Sequence, residues 1–585
     1  MKPPALTAAV AWKLALVFVL AAALFAGFRA ATRPLIFDEA EFRLVANGIA
    51  RHGIPVAMSG EDAFLRGLAT ENRHLGLWHP PLYTYLVATA YALAGHASDA
   101  ATRSVGALLN VALVLLVAWL ARRALRSGGG TSEAARVAPW LAALLLAGNP
   151  FFVQGALFAD IDTAALPLLT TAWCGVFWLA DLRSPPTLRA WVGVIAVSVL
   201  SFWAKLTTPP LCFIALGAWF AASREWDALR RLVVVGVAAT VLFALTWLLY
   251  AWAANVPADV FVRYTFINKT HVYGAHLNVT RMTLSTARLI LWLTPALVVL
   301  SLASIPVAWR HRREQGLQLA AMAACLAAAI GGAYSLWIGA EVTKYVVPVV
   351  PLVVMATSIA LAPEAATWSP RTLGAIAVAA IATAVWHGVV AGDLFLVPPT
   401  ADRTLASRDF MQLLLDPRLR TWATVPLPVV LVPMLWRLVG QQRWHDALVR
   451  GAFAVILGGG MAQHLMSAST PYSPLTFRPQ PDLAAAADTL SARCDGAYAV
   501  AQKEIIVRLS PARCMAIATD GGPGAILHED SLAARIDTDP RIRWVLSARS
   551  YPLFAHDGPV SGVLARRFAL AVEVGDYVLL ERRVP

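Results

Sequence analysis

The chain has 585 residues, of which 58% are hydrophobic and only 14% are charged. Soluble globular proteins are typically about 45–50% apolar and about 25% charged, so this composition excludes a soluble multidomain enzyme. The formal net charge is +13, but the basic residues are scattered over short loops, which argues against a nucleic-acid-binding surface. An excess of Lys and Arg is typical of the cytoplasmic loops of membrane proteins.

Long uncharged stretches recur along the chain, and we interpret them as membrane-spanning helices. About 20 mainly apolar residues cross the hydrocarbon core, and continuous rather than alternating runs favour helices over a β-barrel. The first run reads as a retained signal anchor, since it is too long for a cleaved signal peptide. Placing the Arg-rich loops inside predicts about thirteen spans, roughly at 12–31, 102–121, 137–154, 161–180, 190–206, 208–222, 232–253, 286–308, 317–338, 345–362, 372–391, 421–437 and 451–467.

The first outward loop, residues 33–101, begins with a cluster of acidic residues. Asp38, Glu39 and Glu41 directly follow the apolar run 34–37. We therefore predict that these carboxylates lie at the membrane interface, partly desolvated, where a carboxylate becomes a better general base. A hydrated stop at the end of the first span is the alternative interpretation.

The same loop ends in an apolar stretch, residues 81–95, that must not cross the membrane. If it crossed, every later Arg-rich loop would change sides. Pro80 and Pro81 rigidify its start, and the aromatic side chains around it suit the headgroup level. We predict an interfacial helix, which either covers a cavity for a lipid tail or serves as an aromatic anchor.

The part of the chain after residue 467 is more polar than the rest. A Pro-rich linker is followed by short apolar runs that alternate with Gly, Pro and Asp turns, a pattern typical of a small α/β domain. We therefore predict two domains, a transmembrane domain at 1–467 and an extracytoplasmic C-terminal domain at 468–585.

Five cysteines are distributed between these two parts. Cys174, Cys212 and Cys325 lie in apolar helices, where they are expected to be inert core residues. Cys494 and Cys514 lie in the C-terminal part, and the sequence is equally compatible with a disulfide between them and with two free thiols.

Several short motifs occur in an order that resembles one family of membrane enzymes. They are Phe37-Asp38-Glu39-Ala40, His79-Pro80-Pro81-Leu82-Tyr83, Ala101-Thr102-Arg103, Phe158-Ala159-Asp160-Ile161-Asp162-Thr163 and Lys344-Tyr345-Val346-Val347-Pro348. Together they resemble the GT-C glycosyltransferases, and most closely the protein O-mannosyltransferase-like group. That group includes the lipid A aminoarabinose transferases and the lipopolysaccharide galacturonosyltransferases. The resemblance covers roughly residues 10–360.

The resemblance implies a mainly α, polytopic GT-C-like bundle that transfers a sugar at the outer face of the inner, or cell, membrane. The donor would be a polyprenyl-phosphate sugar, the acceptor a lipid, glycan or protein, and the reaction inverting. Asp38 would be the general base, and Glu39 would orient the acceptor or tune that base. No nucleotide-binding Gly-rich loop occurs in the predicted cytoplasmic segments, in agreement with a lipid-linked donor.

A cationic group must stabilise the departing lipid phosphate. Lys344, beside Tyr345, is the first choice because of its motif. Arg263, Lys269 and Lys205 are further candidates at the outer face, although Arg263 and Lys205 also suit snorkelling positions.

Two other residues are candidates for binding substrate. Asp162 matches the acidic motif, and His79 is expected either to hydrogen-bond a phosphate or sugar or to hold the interfacial loop. Aminoarabinose transferases have Glu-Lys where this chain has Trp78-His79, so their sugar specificity does not carry over. Binding of a divalent metal by His271 and His276 is an open alternative without further support, and a solvated loop is favoured because their loop gives no assured ligand geometry.

Two alternatives to a transferase follow from the same sequence. A transporter or flippase for a lipid-linked substrate would place charges near the midplane and usually contain repeated halves. No repeated half is evident, and the acids cluster at predicted outer helix ends. A non-catalytic scaffold is the other alternative, and its function would not depend on Asp38.

Overall fold

The computed structural model of the chain is mainly helical. It describes residues 35, 38–59, 68–70, 73–77, 79–127, 131–149, 158–259, 295–310, 315–334, 343–389, 442–469, 482–506, 508–509, 515–519, 529–549 and 558–583, with a few single residues elsewhere.

Two helices and three short strands follow the first predicted span. Helix α1 (Asp38–His52) has three acidic residues in its first turn, where the positive end of the helix dipole stabilises them. Strands β1 (Val56–Ser59), β2 (Leu68–Thr70) and β3 (Arg73–Leu75) form an antiparallel sheet with β3 in the centre. Helix α2 (Leu82–Ala94) has 13 residues, too few to span a bilayer, in agreement with the predicted short helix.

Eleven helices of the described part form an apolar bundle: α3 (Asp99–Ser127), α4 (Ser132–Ala147), α5 (Leu166–Ala180), α6 (Leu188–Ala204), α7 (Thr208–Ala222), α8 (Trp226–Ala254), α9 (Pro295–Arg310), α10 (Gln315–Ala333), α11 (Val349–Ala365), α12 (Pro370–Val389) and α13 (Gln442–Ser469). A π-helical turn (Ile161–Ala165) precedes α5, and a 3-10 turn (Thr343–Val346) precedes α11.

Each of these eleven helices coincides with a predicted span. The two remaining predicted spans, 12–31 and 421–437, lie largely or wholly outside the described residues. Within the described part, four segments are long and apolar enough to cross a membrane: Asp99–Ser127, Ile161–Ala180, Trp226–Ala254 and Lys344–Ala365. The total of about thirteen spans therefore stays a prediction.

Burial differs strongly between helices of the bundle. Helix α11 packs against α4, α9 and α10 and is almost entirely buried. Helix α8 instead exposes many apolar side chains, among them Val237, Leu245 and Trp252. Exposed apolar surface costs little against lipid tails, so α8 fits the periphery of a membrane bundle and α11 its centre.

The C-terminal part forms a small α/β structure, as predicted. In chain order its elements are α14 (Leu483–Arg493), β4 (Tyr498–Gln502), α15 (Lys503–Ile506), β5 (Met515–Thr519), α16 (Glu529–Thr538), β6 (Ile542–Ala548), α17 (Pro559–Arg567), β7 (Phe568–Val574) and β8 (Tyr577–Arg582). The strand order is β5-β4-β6-β8-β7, with β4 parallel to β5 and β6. Its core contains Val500, Val545, Ile536 and Leu564.

The chain divides into two compact units by its internal contacts. The bundle unit comprises Met1–Ala31, Gly106–Trp247 and Tyr273–Phe477, and the head unit comprises Thr32–Val105, Leu248–Val272 and Arg478–Pro585. The first outward loop and the C-terminal part thus belong to the same unit. The boundary between residues 467 and 468 stays a prediction.

Aromatic contacts hold α1 against α2 within the head unit. The rings of Phe42 and Tyr83 meet edge to face, with centroids 5.1 Å apart. The Tyr85 hydroxyl donates to the carbonyl of Gly53 at the end of α1, at 2.8 Å, and lies 3.2 Å from the Tyr250 hydroxyl. Cys494 is disulfide-bonded, whereas position 514 lies outside the described residues.

The turn between β7 and β8 generates a prediction about the stability of the sheet. Gly575 has a φ of 57°, and a Cβ at this position would collide with the Asp482 carboxylate. We expect Gly575→Ala to destabilise the sheet by about 1–3 kcal/mol because of this backbone strain. Hydrogen exchange of the β7 and β8 amides in the full-length protein would measure the loss.

Gly562→Ala in α17 is the matched control. A Cβ there meets only the end of the flexible Arg566 side chain, at 3.8 Å. This exchange should stabilise the helix by about 0.5–1 kcal/mol. Equal protection of β7 and β8 in both variants would contradict the assigned turn.

Candidate active site

The acidic motif of the bundle unit forms an irregular turn. Asp160 has extended backbone (φ −145°, ψ 150°), and its Oδ1 accepts a hydrogen bond from the backbone N–H of Asp162 at 2.8 Å. The following turn is a π-helix, a conformation that occurs frequently at functional sites. Both carboxylates are buried, with side chains at most 1% exposed, so each requires a partner within the protein.

Two buried lysines supply those partners. Lys205 Nζ lies 2.5 Å from Asp162 Oδ1, and Lys344 Nζ lies 2.6 Å from Asp160 Oδ2. Lys205 occupies the break between α6 and α7, where Pro209 and Pro210 start the next helix. Lys344 lies in the 3-10 turn before α11. The break and the turn bring two lysines that are distant in sequence to the same acidic motif.

Two tyrosine rings complete the cluster. Lys205 Nζ lies 4.0 Å from the centroid of the Tyr345 ring, a distance typical of a cation–π contact. Tyr334 stacks on Tyr345 with centroids 5.4 Å apart, and Lys205 Nζ is 5.8 Å from the Tyr334 ring. We call Asp160, Asp162, Lys205, Lys344, Tyr334 and Tyr345 the lysine cluster.

The lysine cluster has more hydrogen-bonding capacity than the described residues use. Asp162 Oδ2 and the Tyr334 hydroxyl are buried and have no hydrogen-bond partner among the described residues, and the same holds for the hydroxyls of Thr207 and Thr208. An ammonium group offers three N–H donors. Because buried polar groups are normally satisfied, the hydroxyls of Tyr334, Thr207 and Thr208, which lack a partner among the described residues, suit a polar ligand. The two ammonium groups suit an anionic one.

A second group of charged residues lies in the first turn of α1, in the head unit. Asp38, Glu39 and Glu41 are all buried there, each at most 8% exposed. Arg103 of α3 donates to both oxygens of Glu39, from Nε at 2.8 Å and from Nη2 at 2.7 Å. Such a bidentate pair fixes the orientation of the Glu39 carboxylate.

The structure brings some of the predicted site residues together. Asp162, Lys344 and Tyr345 meet in the lysine cluster, and Asp38 and Glu39 share the first turn of α1. His79 is half-buried just before α2. The predicted candidates Arg263 and Lys269 lie outside the described residues.

Sequence reasoning did not select Asp160, Tyr334, Thr207 and Thr208, and it gave Arg103 no role of its own. It also left Lys205 open as a snorkelling residue, whereas the side chain is only 3% exposed and paired with Asp162. The signal for Lys205 was a lone charge within a long apolar run, which in a membrane protein points to function.

Metal ligands form no obvious cluster in the part of the chain that the structure describes. No three His, Cys, Asp or Glu side chains are grouped there in a way that could hold an ion. His271 and His276 lie outside that part.

The buried pair of Asp162 and Lys205 generates a prediction about stability. Asp162→Asn leaves the Lys205 charge buried without its counter-charge, so we expect a loss of about 3–5 kcal/mol. Adding Lys205→Met removes the stranded charge and should recover most of that loss. The thermal unfolding midpoint of the full-length protein in detergent would report both changes.

Asp227→Asn is the control for this pair. Asp227 also lies in the first turn of a helix, but it is 74% exposed and its contact with Arg230 is a surface ion pair. Its substitution should change stability by less than about 1 kcal/mol. A single variant Asp162→Asn as stable as Asp227→Asn would argue against a charged buried pair.

Comparison with known proteins shows that solved structures of ArnT have a similar fold. No protein-family model and no curated protein sequence match the chain. The crystal structure of ArnT from Cupriavidus metallidurans bound to undecaprenyl phosphate is similar, with a TM-score of 0.60, 16% identity and coverage of 96% of this chain and 97% of that one. The apo crystal structure of the same ArnT gives a TM-score of 0.57 and 18% identity at the same coverage.

At this level of identity the similarity concerns the fold. The match extends over almost the whole of both chains, including the C-terminal part, which the sequence motifs did not reach. The chain therefore has the fold of ArnT, in agreement with the fold that its motifs predict.

Proposed function

We propose that this protein is an inverting membrane glycosyltransferase that moves a sugar from a polyprenyl-phosphate donor to a lipid, glycan or protein acceptor. The observation that carries the proposal is the lysine cluster, two buried ammonium groups beside two tyrosine rings, in a chain with the fold of ArnT. One of the ArnT structures contains undecaprenyl phosphate, a ligand of the proposed donor class.

The lysine cluster would bind the phosphate of the donor and of the product. When the bond between the anomeric carbon and the phosphate oxygen breaks, its electron pair goes to that oxygen and the phosphate gains negative charge. Lys205 and Lys344 are already oriented by Asp162 and Asp160, so these two positive charges need little reorganisation to stabilise the phosphate. Tyr345, which contacts Lys205, would help to hold the ammonium group in place.

Asp38 would accept the proton of the acceptor hydroxyl as its oxygen attacks the anomeric carbon. Its burial at the start of α1 suits a general base, because a desolvated carboxylate binds a proton more readily than a hydrated one. Glu39 is held by both nitrogens of the Arg103 fork, which suits an orienting role better than proton transfer. His79, Arg263 and Lys269 remain candidates for contacts with the sugar or phosphate.

The proposal includes a membrane topology. Thirteen spans would put the first outward loop and the C-terminal domain (468–585) on the outer face of the inner membrane, toward the periplasm or cell exterior. That face holds lipid-linked rather than nucleotide-linked sugars, so the topology and the donor class support each other.

A flippase for a lipid-linked substrate is the second candidate. Buried charged side chains inside a helical bundle are also typical of transport pathways, and the lysine cluster has this character. The two candidates differ in that only a transferase consumes the donor sugar.

The base assignment predicts the effect of removing one carboxylate. Asp38→Asn should lower the rate of sugar transfer by about 10²–10⁴-fold, the usual contribution of a general base. Binding of undecaprenyl phosphate should be unchanged. Transfer by the purified protein from a panel of radiolabelled polyprenyl-phosphate sugars to a membrane lipid extract would measure the rate.

Asp227→Asn serves again as the control, since it makes the same chemical change in an exposed helical turn. If the Asp38→Asn variant transferred sugar as fast as this control, Asp38 would not be the general base. A wild-type protein that transfers no sugar but translocates the lipid would favour the flippase.

The phosphate assignment predicts the effect of removing whole charge pairs. The double variants Lys344→Met/Asp160→Asn and Lys205→Met/Asp162→Asn each remove both charges of one buried pair. Each should weaken undecaprenyl phosphate binding by about 10–100-fold, as expected for the loss of a hydrogen bond to a charged group. Quenching of tryptophan fluorescence on titration with undecaprenyl phosphate would measure the dissociation constant.

Arg230→Met/Asp227→Asn is the matched control, because it removes an exposed ion pair from the same unit. Its affinity should equal that of the wild type. Unchanged affinity in both cluster variants would place the lipid phosphate elsewhere.

A further inference from the structure

Four charged residues form a ladder between α1 and the first turn of α3. Glu39 pairs with Arg103, and Arg43 donates to Asp99 Oδ1. On each helix the two residues are four positions apart and therefore lie on one face. On both helices the acid precedes the base, but the pairing runs in opposite directions, with Glu39 facing Arg103 and Arg43 facing Asp99. Sliding α1 by one turn would therefore place like charges opposite each other. The charge ladder thus fixes the register of α1 against α3.

A fifth charge reaches the ladder from the C-terminal part of the chain. Arg508 Nη2 lies 3.6 Å from Asp99 Oδ2, the oxygen that Arg43 does not use. Arg508 follows α15, and its backbone N–H donates to the carbonyl of Ile505 at 2.9 Å. Helix α15 packs against α1 within the head unit. Asp99 therefore holds two guanidinium groups from two distant parts of the sequence.

The charges of this group are only partly accessible to water. The side chains of Asp99 and Arg43 are 16% and 17% exposed, and that of Arg508 is 24% exposed. Salt and water therefore screen these interactions less than those of an ordinary surface ion pair. A change at Arg508 should be felt at Asp99 and, through Arg43, on α1.

Asp38 is the first residue of α1 and directly precedes the ladder residue Glu39. Because a helix moves as a rigid element, a displacement of α1 at Arg43 also moves its first turn. Small displacements of a reacting group are costly, and about 1 Å can lower a rate by about 10²-fold.

We propose that Arg508 is a positioning residue: by holding Asp99, and through it Arg43, it fixes α1 so that Asp38 stands in its reactive place. This inference rests on the proposed function, and it gives the C-terminal domain a part in the transfer reaction. It concerns the chemical step and not the binding of the lipid donor.

The first experiment compares two arginines of the same domain in the full-length protein. Arg508→Gln should lower kcat for sugar transfer by about 10–100-fold, with the donor KM nearly unchanged. Arg543→Gln is the matched control, since Arg543 pairs with Glu581 inside the C-terminal sheet and touches no ladder residue among its described contacts. Both variants should keep the unfolding midpoint of the wild type, which excludes a general loss of folding.

Charge reversal separates positioning from a merely structural role. Arg43→Asp/Asp99→Arg restores the pair between α1 and α3 but sets Arg508 against a like charge, so kcat should stay low. Adding Arg508→Asp makes all contacts attractive again, and kcat should rise by at least about tenfold over the double variant. Hydrogen exchange of the α1 amides should be faster in the double variant and slower again in the triple variant. This measurement does not depend on activity.

The outcomes distinguish this inference from the function on which it rests. Wild-type kcat in Arg508→Gln, or in the double variant, would overturn the role of Arg508 while leaving the transferase intact. The role of Arg508 would also be overturned if the triple variant did not recover kcat and none of the changes altered hydrogen exchange of the α1 amides. Absence of transfer by the wild type, or full activity of Asp38→Asn, would instead refute the proposed function or its base.

Discussion

Charges inside the apolar bundle can persist only if each has an opposite charge beside it, since an isolated ion is very costly at low dielectric. This constraint ties the acidic motif to the two lysines. Asp160 and Asp162 carry two negative charges in a buried place, where Lys344 pairs with Asp160 and Lys205 pairs with Asp162. The helix break at Lys205 and the turns around Asp160 and Lys344 are the irregular backbone that such an arrangement needs.

The head unit uses charge in a different way. Its ion pairs range from the buried contact of Arg103 with Glu39 to the partly accessible contacts of Asp99, and as a patterned set they specify register. The bidentate contact of Arg103 with Glu39 and the shared contacts of Asp99 define one placement of α1. The acidic first turn is thereby held by α3 and by the C-terminal domain, while Phe42 and Gly53 connect α1 to α2.

These two arrangements give the proposed transfer its physical basis. Glycosyl transfer from a lipid phosphate needs donors for a developing phosphate charge and a base for the acceptor proton. In the proposed mechanism, lysines oriented by carboxylates would supply the first, and the buried Asp38 at the start of α1 would supply the second. The fold shared with ArnT makes a lipid phosphate the natural ligand to test, and the two tyrosine rings beside Lys205 are features of this chain's own cluster.

The sequence alone determined where the helices lie: eleven described helices coincide with predicted spans, and α2 is short as expected. It could do so because a membrane helix satisfies its own backbone hydrogen bonds, so local hydropathy and flanking prolines suffice. It also selected Asp38, Asp162 and Lys344 through motif resemblance. Only the tertiary structure decided that Lys205 faces Asp162 and that Arg508 reaches Asp99, because pairs so distant in sequence are created by packing and leave no local pattern.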